Sequence, residues 1–154
     1  MKHVHKSVLL WYSPGEMYAL VTAVADYSQF LPWCAQAEVL HQHDDGVTAR
    51  LHISLAGVRQ AFTTRNVNEL EQSVRMSLVD GPFSHLQGIW RFTALGEPDP
   101  ATGKVPQACK VEFSLDYAFS SRALSLVVSP VFDRITSTFV EAFVKRAEQV
   151  YGPR

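Results

Sequence analysis

Residues able to do chemistry are sparse and scattered along this 154-residue chain. His3 and His5 fall on one face of an N-terminal strand, and His41 and His43 do the same if the second strand runs straight. Either pair offers two of the four ligands that zinc takes. Each pair stands alone, however, with no HExxH pattern and no cysteine at ligand spacing, so no metal site is expected. Cys34 acting as a nucleophile needs a histidine and a carboxylate brought to it in space. No nucleophile-elbow pattern surrounds it, and its place between Trp33 and Ala35 fits a packed or pocket-lining thiol. The carboxylates of Asp44-Asp45, Glu69 with Glu71, and Glu97 with Asp99 fall in turns or at strand ends, where charge is ordinarily solvated. Asp80 opens an Asp-Gly-Pro turn. Asp116 lies on the polar face of a strand, where Arg65 or Arg91 is a natural cross-strand partner. No pair of acids is set up for proton transfer, so hydrolysis has little support. Phosphate loops of the GxGxxG or GxxxxGKS/T kind are absent, which argues against nucleotide chemistry.

Composition narrows the field further. Fourteen Lys+Arg balance fifteen Asp+Glu for a formal charge of −1, without the positive surplus usual in a non-specific nucleic-acid binder. Arg50, Arg59, Arg65, Arg75 and Arg91 are dispersed through the strands and would make a modest arginine face if the sheet gathered them. An apolar share of 47% with 19% charged residues describes an ordinary globule, read here as one domain over 1–154. Two cysteines make no disulfide framework, although a single bridge between Cys34 and Cys109 stays open. The N-terminal residues lack the apolar core of a signal peptide, so a cytoplasmic protein is expected, with no covalently bound cofactor. What remains is an interior rich in Phe, Trp and Tyr. It suits either a pocket for a large hydrophobic molecule or a filled core, and periodicity alone does not separate the two.

The elements that must position these residues are legible. A strand over 3–12 leads to Ser13-Pro14-Gly15-Glu16, where Ser13 caps a short helix, Pro14 takes its first position and Glu16 answers the cap. Met17, Leu20, Val21 and Val24 give that helix its apolar side. Asp26 is expected to cap a second short helix that stops near Pro32. The period then changes to two: Val47 to Leu55, a strand over 58–68 after the Ala56-Gly57 break, Val74 to Leu78, Leu86 to Phe92, and Val111 to Phe119. Between the last two, 96–107 reads as an exposed loop. Closely spaced strands without long intervening helices predict antiparallel pairing. Leu124, Val128, Val131, Phe132, Ile135, Phe139, Phe143, Ala147 and Val150 then form one stripe of a long helix capped by Ser120 or Ser121. Pro130 predicts either a kink near 126–130 or a start just before the proline.

Six ordered segments carry a resemblance: Tyr27-Ser-Gln-Phe-Leu-Pro-Trp-Cys34, Phe62-Thr-Thr-Arg-Asn66, Leu78-Val-Asp-Gly-Pro-Phe83, Leu86-x-Gly-x-Trp-x-Phe92, Cys109-x-Val-Glu-Phe113 and Phe139-Val-x-Ala-Phe-x-x-Arg-Ala-x-x-Val-Tyr151. From about residue 3 to 151 the chain resembles the family of bacterial ribosome association toxins and mitochondrial coenzyme Q-binding proteins, in the START-like, polyketide cyclase/dehydrase-like superfamily. The resemblance implies an α+β helix-grip fold. Six or seven antiparallel strands curve around a long C-terminal helix, with two short helices after strand 1.

It also implies two functions. The leading expectation is non-catalytic binding of ubiquinone (coenzyme Q) or a related isoprenoid in support of respiration, with at most peripheral contact with the inner membrane. The alternative is association with the large ribosomal subunit that blocks subunit joining and translation initiation, with a small ubiquitin-like antitoxin-type protein as partner. A cyclase or dehydrase enzyme ranks third, because fold likeness does not carry chemistry. Pro32, Trp33 and Cys34 are placed at the cavity mouth, and Phe83 on a rim loop. Phe62, Trp90, Phe92, Phe113 and Tyr117 are placed on the wall, with Phe132, Ile135, Phe139 and Phe143 facing it from the helix. Arg65 is assigned as the charged donor to a quinone head group, and it joins Arg50, Arg59, Arg75 and Arg91 as the rRNA-binding alternative.

Overall fold

The computed structural model describes all 154 residues. Seven strands form one antiparallel sheet: β1 (Lys2–Leu10), β2 (Cys34–His43), β3 (Gly46–Leu55), β4 (Val58–Glu69), β5 (Ser73–Asp80), β6 (Phe83–Ala94) and β7 (Cys109–Phe119). Their spatial order is β1-β7-β6-β5-β4-β3-β2. β2 to β7 therefore run as a meander, and β1 pairs with the last strand across its full length, from Lys2 opposite Tyr117 to Leu10 opposite Cys109. The link from β1 to β2 must cross from one sheet edge to the other, and the two short helical segments make that crossing.

The first segment is α1 (Pro14–Thr22). Ser13 accepts from the Glu16 N–H at 3.1 Å while its own N–H donates to Glu16 Oε1 at 2.9 Å, so the box read in the sequence closes in both directions. The second differs from the expectation. It is a 3₁₀ segment over Val24–Gln29 that begins two residues before Asp26, with no side-chain cap. The chain reaches it directly from α1 through Ala23, which leaves no room for a separate cap, and burial of Val24 and Tyr27 holds it instead. Ala56 and Gly57 form the two-residue β3–β4 turn, both with positive φ (51° and 81°), as tight hairpins require. Gly46, the first residue of β3, passes so close to β4 that a Cβ there would lie 1.9 Å from the Asn66 carbonyl oxygen.

The last element, α2 (Arg122–Tyr151), is a single 30-residue helix. Ser121 caps it, accepting from the Leu124 N–H at 3.1 Å. The start expected just before Pro130 is thus corrected: the helix begins eight residues earlier and carries the proline inside. In its opening turns Leu124 packs on the core while Leu126 and Val127 are exposed, so the carbonyl that Pro130 deprives of a donor lies where water reaches. The apolar stripe packs on the sheet from Val128 to Ala147, but Val150 is exposed and Val140 takes a buried place the stripe did not assign it. By length and apolarity α2 is sufficient to cross a membrane, with mean hydropathy 1.3 over its most apolar window, yet here it serves as the core helix of the sheet.

At the centre of the core, Trp90, Phe113 and Phe143 are almost wholly buried, with ring centroids 4.7 Å (Trp90–Phe113) and 5.1 Å (Trp90–Phe143) apart. Edge-on and tilted aromatic contacts of this kind add about 0.5–1.5 kcal/mol each beyond area burial. β1 is tied to α2 where Lys2 pairs with Asp133, whose other oxygen accepts from the Tyr117 hydroxyl at 2.5 Å.

Candidate functional site

Between α2 and the inner face of β3 to β7 lies a cavity of about 60 Å³. It exists because the side chains reaching inward from β3 are modest, Ala49 and Leu51, while Phe62 on β4 and Phe132 on α2 close the space beside them. Thirteen of its 16 lining residues are hydrophobic. The polar ones are Thr64 and Asn66 from β4 and Thr136 from α2. Thr64 donates to Asn66 Oδ1 at 2.8 Å, and Thr136 donates to the Asp133 carbonyl at 3.0 Å, so these side-chain oxygens have partners within their own strand and helix. Tyr27 is the one titratable residue on the wall. Its hydroxyl donates to the Val21 carbonyl, and burial pushes its pKa well above the ordinary phenol value. The cavity therefore has no group poised to exchange a proton near neutral pH. It is also small, since an apolar cavity of roughly 150 Å³ is what accommodates benzene.

The residues singled out in the sequence divide into three groups. Trp33, Phe62, Phe113, Phe132, Ile135 and Phe139 line the cavity. Cys34, Phe83, Trp90, Phe92, Tyr117 and Phe143 are buried but pack around the cavity without forming its surface. Trp90 in particular is stacked beside Phe92 at 6.3 Å and wedged against Phe139 at 5.5 Å, and its Nε1 has no hydrogen-bond partner. Pro32 lies outside, in a groove that borders the cavity at Trp33. Arg65 is turned away altogether. It alternates with the inward Thr64 and Asn66, so its guanidinium is on the far face of the sheet, ion-paired with Asp45 and donating to the Asn66 carbonyl at 2.6 Å. That geometry overturns its assignment as a donor to a ligand head group inside the fold. Sequence reading missed Thr64, Asn66 and Thr136. The signal was present, since two steps of two from Phe62 reach Thr64 and Asn66, and one helical turn from Phe132 reaches Thr136.

On the outer face of the sheet the alternation places Arg50, Arg59, Arg65, Arg75 and Arg91, with Arg59 set apart beside the β3–β4 turn. Arg75 lies opposite Ile89 and Arg91 opposite Ser73 on the adjoining strand, so these two arginines are diagonal neighbours. Of the carboxylates on this face, Glu69 and Asp80 enter no ion pair, and three others have partners. Glu38 meets His52 at 2.6 Å, Glu112 meets Lys110 at 4.0 Å, and Asp116 meets His3 at 2.5 Å, not Arg65 or Arg91. Arg50, Arg59, Arg75 and Arg91 enter no ion pair. The His41 and His43 rings are 6.3 Å apart, and His43 bonds Thr48 at 2.8 Å. Cys34 and Cys109 are both free and buried, and burial raises each thiol to about 11.

Comparison with known proteins gives this geometry a context. The family described as polyketide cyclase/dehydrase and lipid transport matches residues 10–144. A Vibrio cholerae protein named ribosome association toxin RatA is 43% identical over 99% of this chain and 99% of its own. A Xenopus laevis protein named coenzyme Q-binding protein COQ10 homolog B, mitochondrial, is 32% identical over 96% of this chain but only 58% of its own. Among solved structures, the Zhui aromatase/cyclase from Streptomyces sp. R1128 superposes with a TM-score of 0.80 over 96% of this chain and 94% of its own; at 16% identity it speaks to the fold alone. Seven strands gripping one long helix, together with a match spanning nearly the whole sequence, place the chain in the START-like polyketide cyclase/dehydrase and lipid transport family, alongside proteins named ribosome association toxin and coenzyme Q-binding protein.

Proposed function

We propose that this protein binds the large ribosomal subunit through the arginine-bearing outer face of its sheet, and that it acts by binding and not by catalysis. The observation that carries this reading is the set of four arginines, Arg50, Arg59, Arg75 and Arg91, left without ion pairs on the outer face of the sheet. Guanidinium groups held at strand spacing suit the phosphates of folded RNA, which they can contact in a bidentate manner. Likeness over 99% of both chains to a protein named ribosome association toxin supports the same reading. A cavity with three locally bonded polar residues and one high-pKa tyrosine supports a non-catalytic role.

Sedimentation with purified large and small ribosomal subunits tests it. The wild type should travel with the large subunit and leave it as salt rises, because phosphate contacts release counterions. The exposed double variant Arg75→Gln/Arg91→Gln should bind about tenfold more weakly with an unchanged melting temperature. A wild-type protein that stays at the top of a low-salt gradient would overturn the reading.

Binding of ubiquinone is the second reading, favoured by the apolar lining and by the 32% identity to the coenzyme Q-binding homologue. A quinone ring exceeds a cavity of about 60 Å³, so uptake requires wall residues to move. Native mass spectrometry of protein from a quinone-containing bacterium, followed by organic extraction, decides it: a stoichiometric quinone supports this reading, and an empty protein that also refuses added ubiquinone sinks it.

A further inference from the structure

All six histidines of the chain lie on the outer face of the sheet, and none lies on a helix or on the inner face. His3 and His5, on the edge strand β1, adjoin only β7, where they meet Asp116 at 2.5 Å and Ser114 at 2.8 Å. His41 and His43, on the opposite edge strand β2, adjoin only β3. Thr48 lies opposite His41 and bonds His43 at 2.8 Å, Arg50 follows one step along, and the Asp44-Asp45 turn comes next. His52 meets Glu38 of β2 at 2.6 Å, and on its β4 side it lies opposite Ala61, diagonal to Arg59. His85 lies opposite Ala118 of β7, diagonal to Asp116, and its β5 side brings the neutral Ser77, opposite the neighbouring Gln87.

The fixed charges of this face cancel. Its cations are Arg50, Arg59, Arg65, Arg75, Arg91 and Lys110. Its carboxylates are Glu38, Glu69, Asp80, Glu112 and Asp116, with Asp45 at the edge beside Arg65. Neighbouring strands run about 4.8 Å apart, inside a Debye length of about 8 Å, so an approaching polyanion feels the sum of these charges as well as each guanidinium. With the histidines neutral, six cations face six carboxylates and the sum is zero. With the histidines protonated, the face carries a surplus of six. Histidine is the side chain that ordinarily changes charge between pH 5 and 8. Protons on His3 and His52 act locally as well, because each then offsets the carboxylate it touches, Asp116 or Glu38.

We propose that the outer face is a pH-gated contact for the phosphate backbone of RNA, weak while its histidines are neutral and strong once they take up protons. The arginines supply the directed hydrogen bonds, and the histidines supply the surplus charge that holds a polyanion against the sheet. This deepens the ribosome reading and rests on it for the identity of the polyanion.

Filter binding of the full chain to a short blunt RNA duplex, at one ionic strength and at pH 7.5 and 6.0, tests the gate. The phosphates and paired bases of the duplex do not titrate in that interval, so a change in affinity reports the protein. Binding should be about tenfold or more tighter at pH 6.0. The slope of log affinity against log salt should also be steeper there by about two, because more phosphates are neutralised. His3→Gln/His5→Gln/His41→Gln/His43→Gln alters only exposed side chains, so it should keep its melting temperature while the pH ratio falls to about threefold or less. Equal affinities at the two pH values, equal salt slopes, a ratio that survives in the quadruple variant, or no duplex binding at pH 6.0 in low salt would each overturn the gate. Sedimentation with large subunits at both pH values separates the two ideas: a gated duplex with no subunit binding at either pH would sink the ribosome reading and leave the gate standing.

Discussion

At Trp90 the indole gives up the hydrogen bond its Nε1 would make in water and gains contact with Phe92, Phe113, Phe139 and Phe143. An unpaired buried donor costs about 1–3 kcal/mol. The exchange is tolerable because a large aromatic side chain recovers more than that by leaving water. The buried thiols follow the same logic in reverse. With Cys34 and Cys109 both raised to about 11 by burial, neither is a thiolate near neutral pH, and both should resist alkylation by iodoacetamide at pH 8 in the native state. Mass spectrometry should find two modifications only after denaturation; rapid native labelling of Cys34 would contradict its burial.

The carboxylates of Glu16 and Asp133 behave differently. Burial pushes each pKa up, but hydrogen bonds and charge from Arg154 and Ser13, and from Lys2 and Tyr117, outweigh it and hold both below the ordinary range. A depressed folded pKa adds stability that is present above the unfolded value of about 4 and is lost as pH falls through the folded one. Urea melts should therefore separate Asp133→Asn from wild type at pH 7, with the gap narrowing as pH falls below about 4.

Single elements obey local chemistry wherever they close on themselves. The Ser13–Glu16 box at α1 is complete within four residues, and Ser13→Ala should cost about 1 kcal/mol in urea unfolding. The Ala56-Gly57 hairpin and the alternation of β3 to β7 were legible for the same reason: turn chemistry and a period of two are properties of neighbouring residues. The 3₁₀ segment was not. Its start depends on Val24 and Tyr27 finding the core, and Asp26, the residue with the best cap chemistry, plays no capping part. Of the two outcomes that Pro130 allowed, the start just before it is not taken, because a proline signals a helix boundary only when the surrounding packing leaves the boundary free. Here the stripe from Val128 onward holds the helix to the sheet, and the Ser121 cap extends it upstream. Pro130→Ala restores a missing intrahelical hydrogen bond and should stabilise the protein by about 1–3 kcal/mol, seen as a higher urea midpoint.

For the whole molecule, the sheet separates two kinds of surface that would otherwise interfere. Its inner face carries the cavity, and its outer face carries the unpaired arginines. Filling the first should leave the second intact. Ala49→Ile, which adds carbon atoms at the cavity wall, should raise stability by about 0.5–2 kcal/mol, or a few degrees in melting temperature, while sedimentation with the large subunit is unchanged. Loss of ribosome association in that variant would mean that the two faces are coupled.

Sequence alone determined an antiparallel sheet of six or seven strands around a long helix, the α1 cap, the family likeness and the inward set Phe62, Phe113, Phe132 and Phe139, because each follows from periodicity or from ordered local motifs. It could not rank Trp90 against Trp33, since both are aromatic and inward, and only the assembled packing decided that Trp90 plugs the core while Trp33 divides cavity from groove. It could not tell which arginines were free, because their carboxylate partners sit on other strands at separations fixed by register. The volume of the cavity, too, was a decision of tertiary structure alone: it is the space left after α2 settles on the sheet, a small difference between large packed volumes that no single residue specifies.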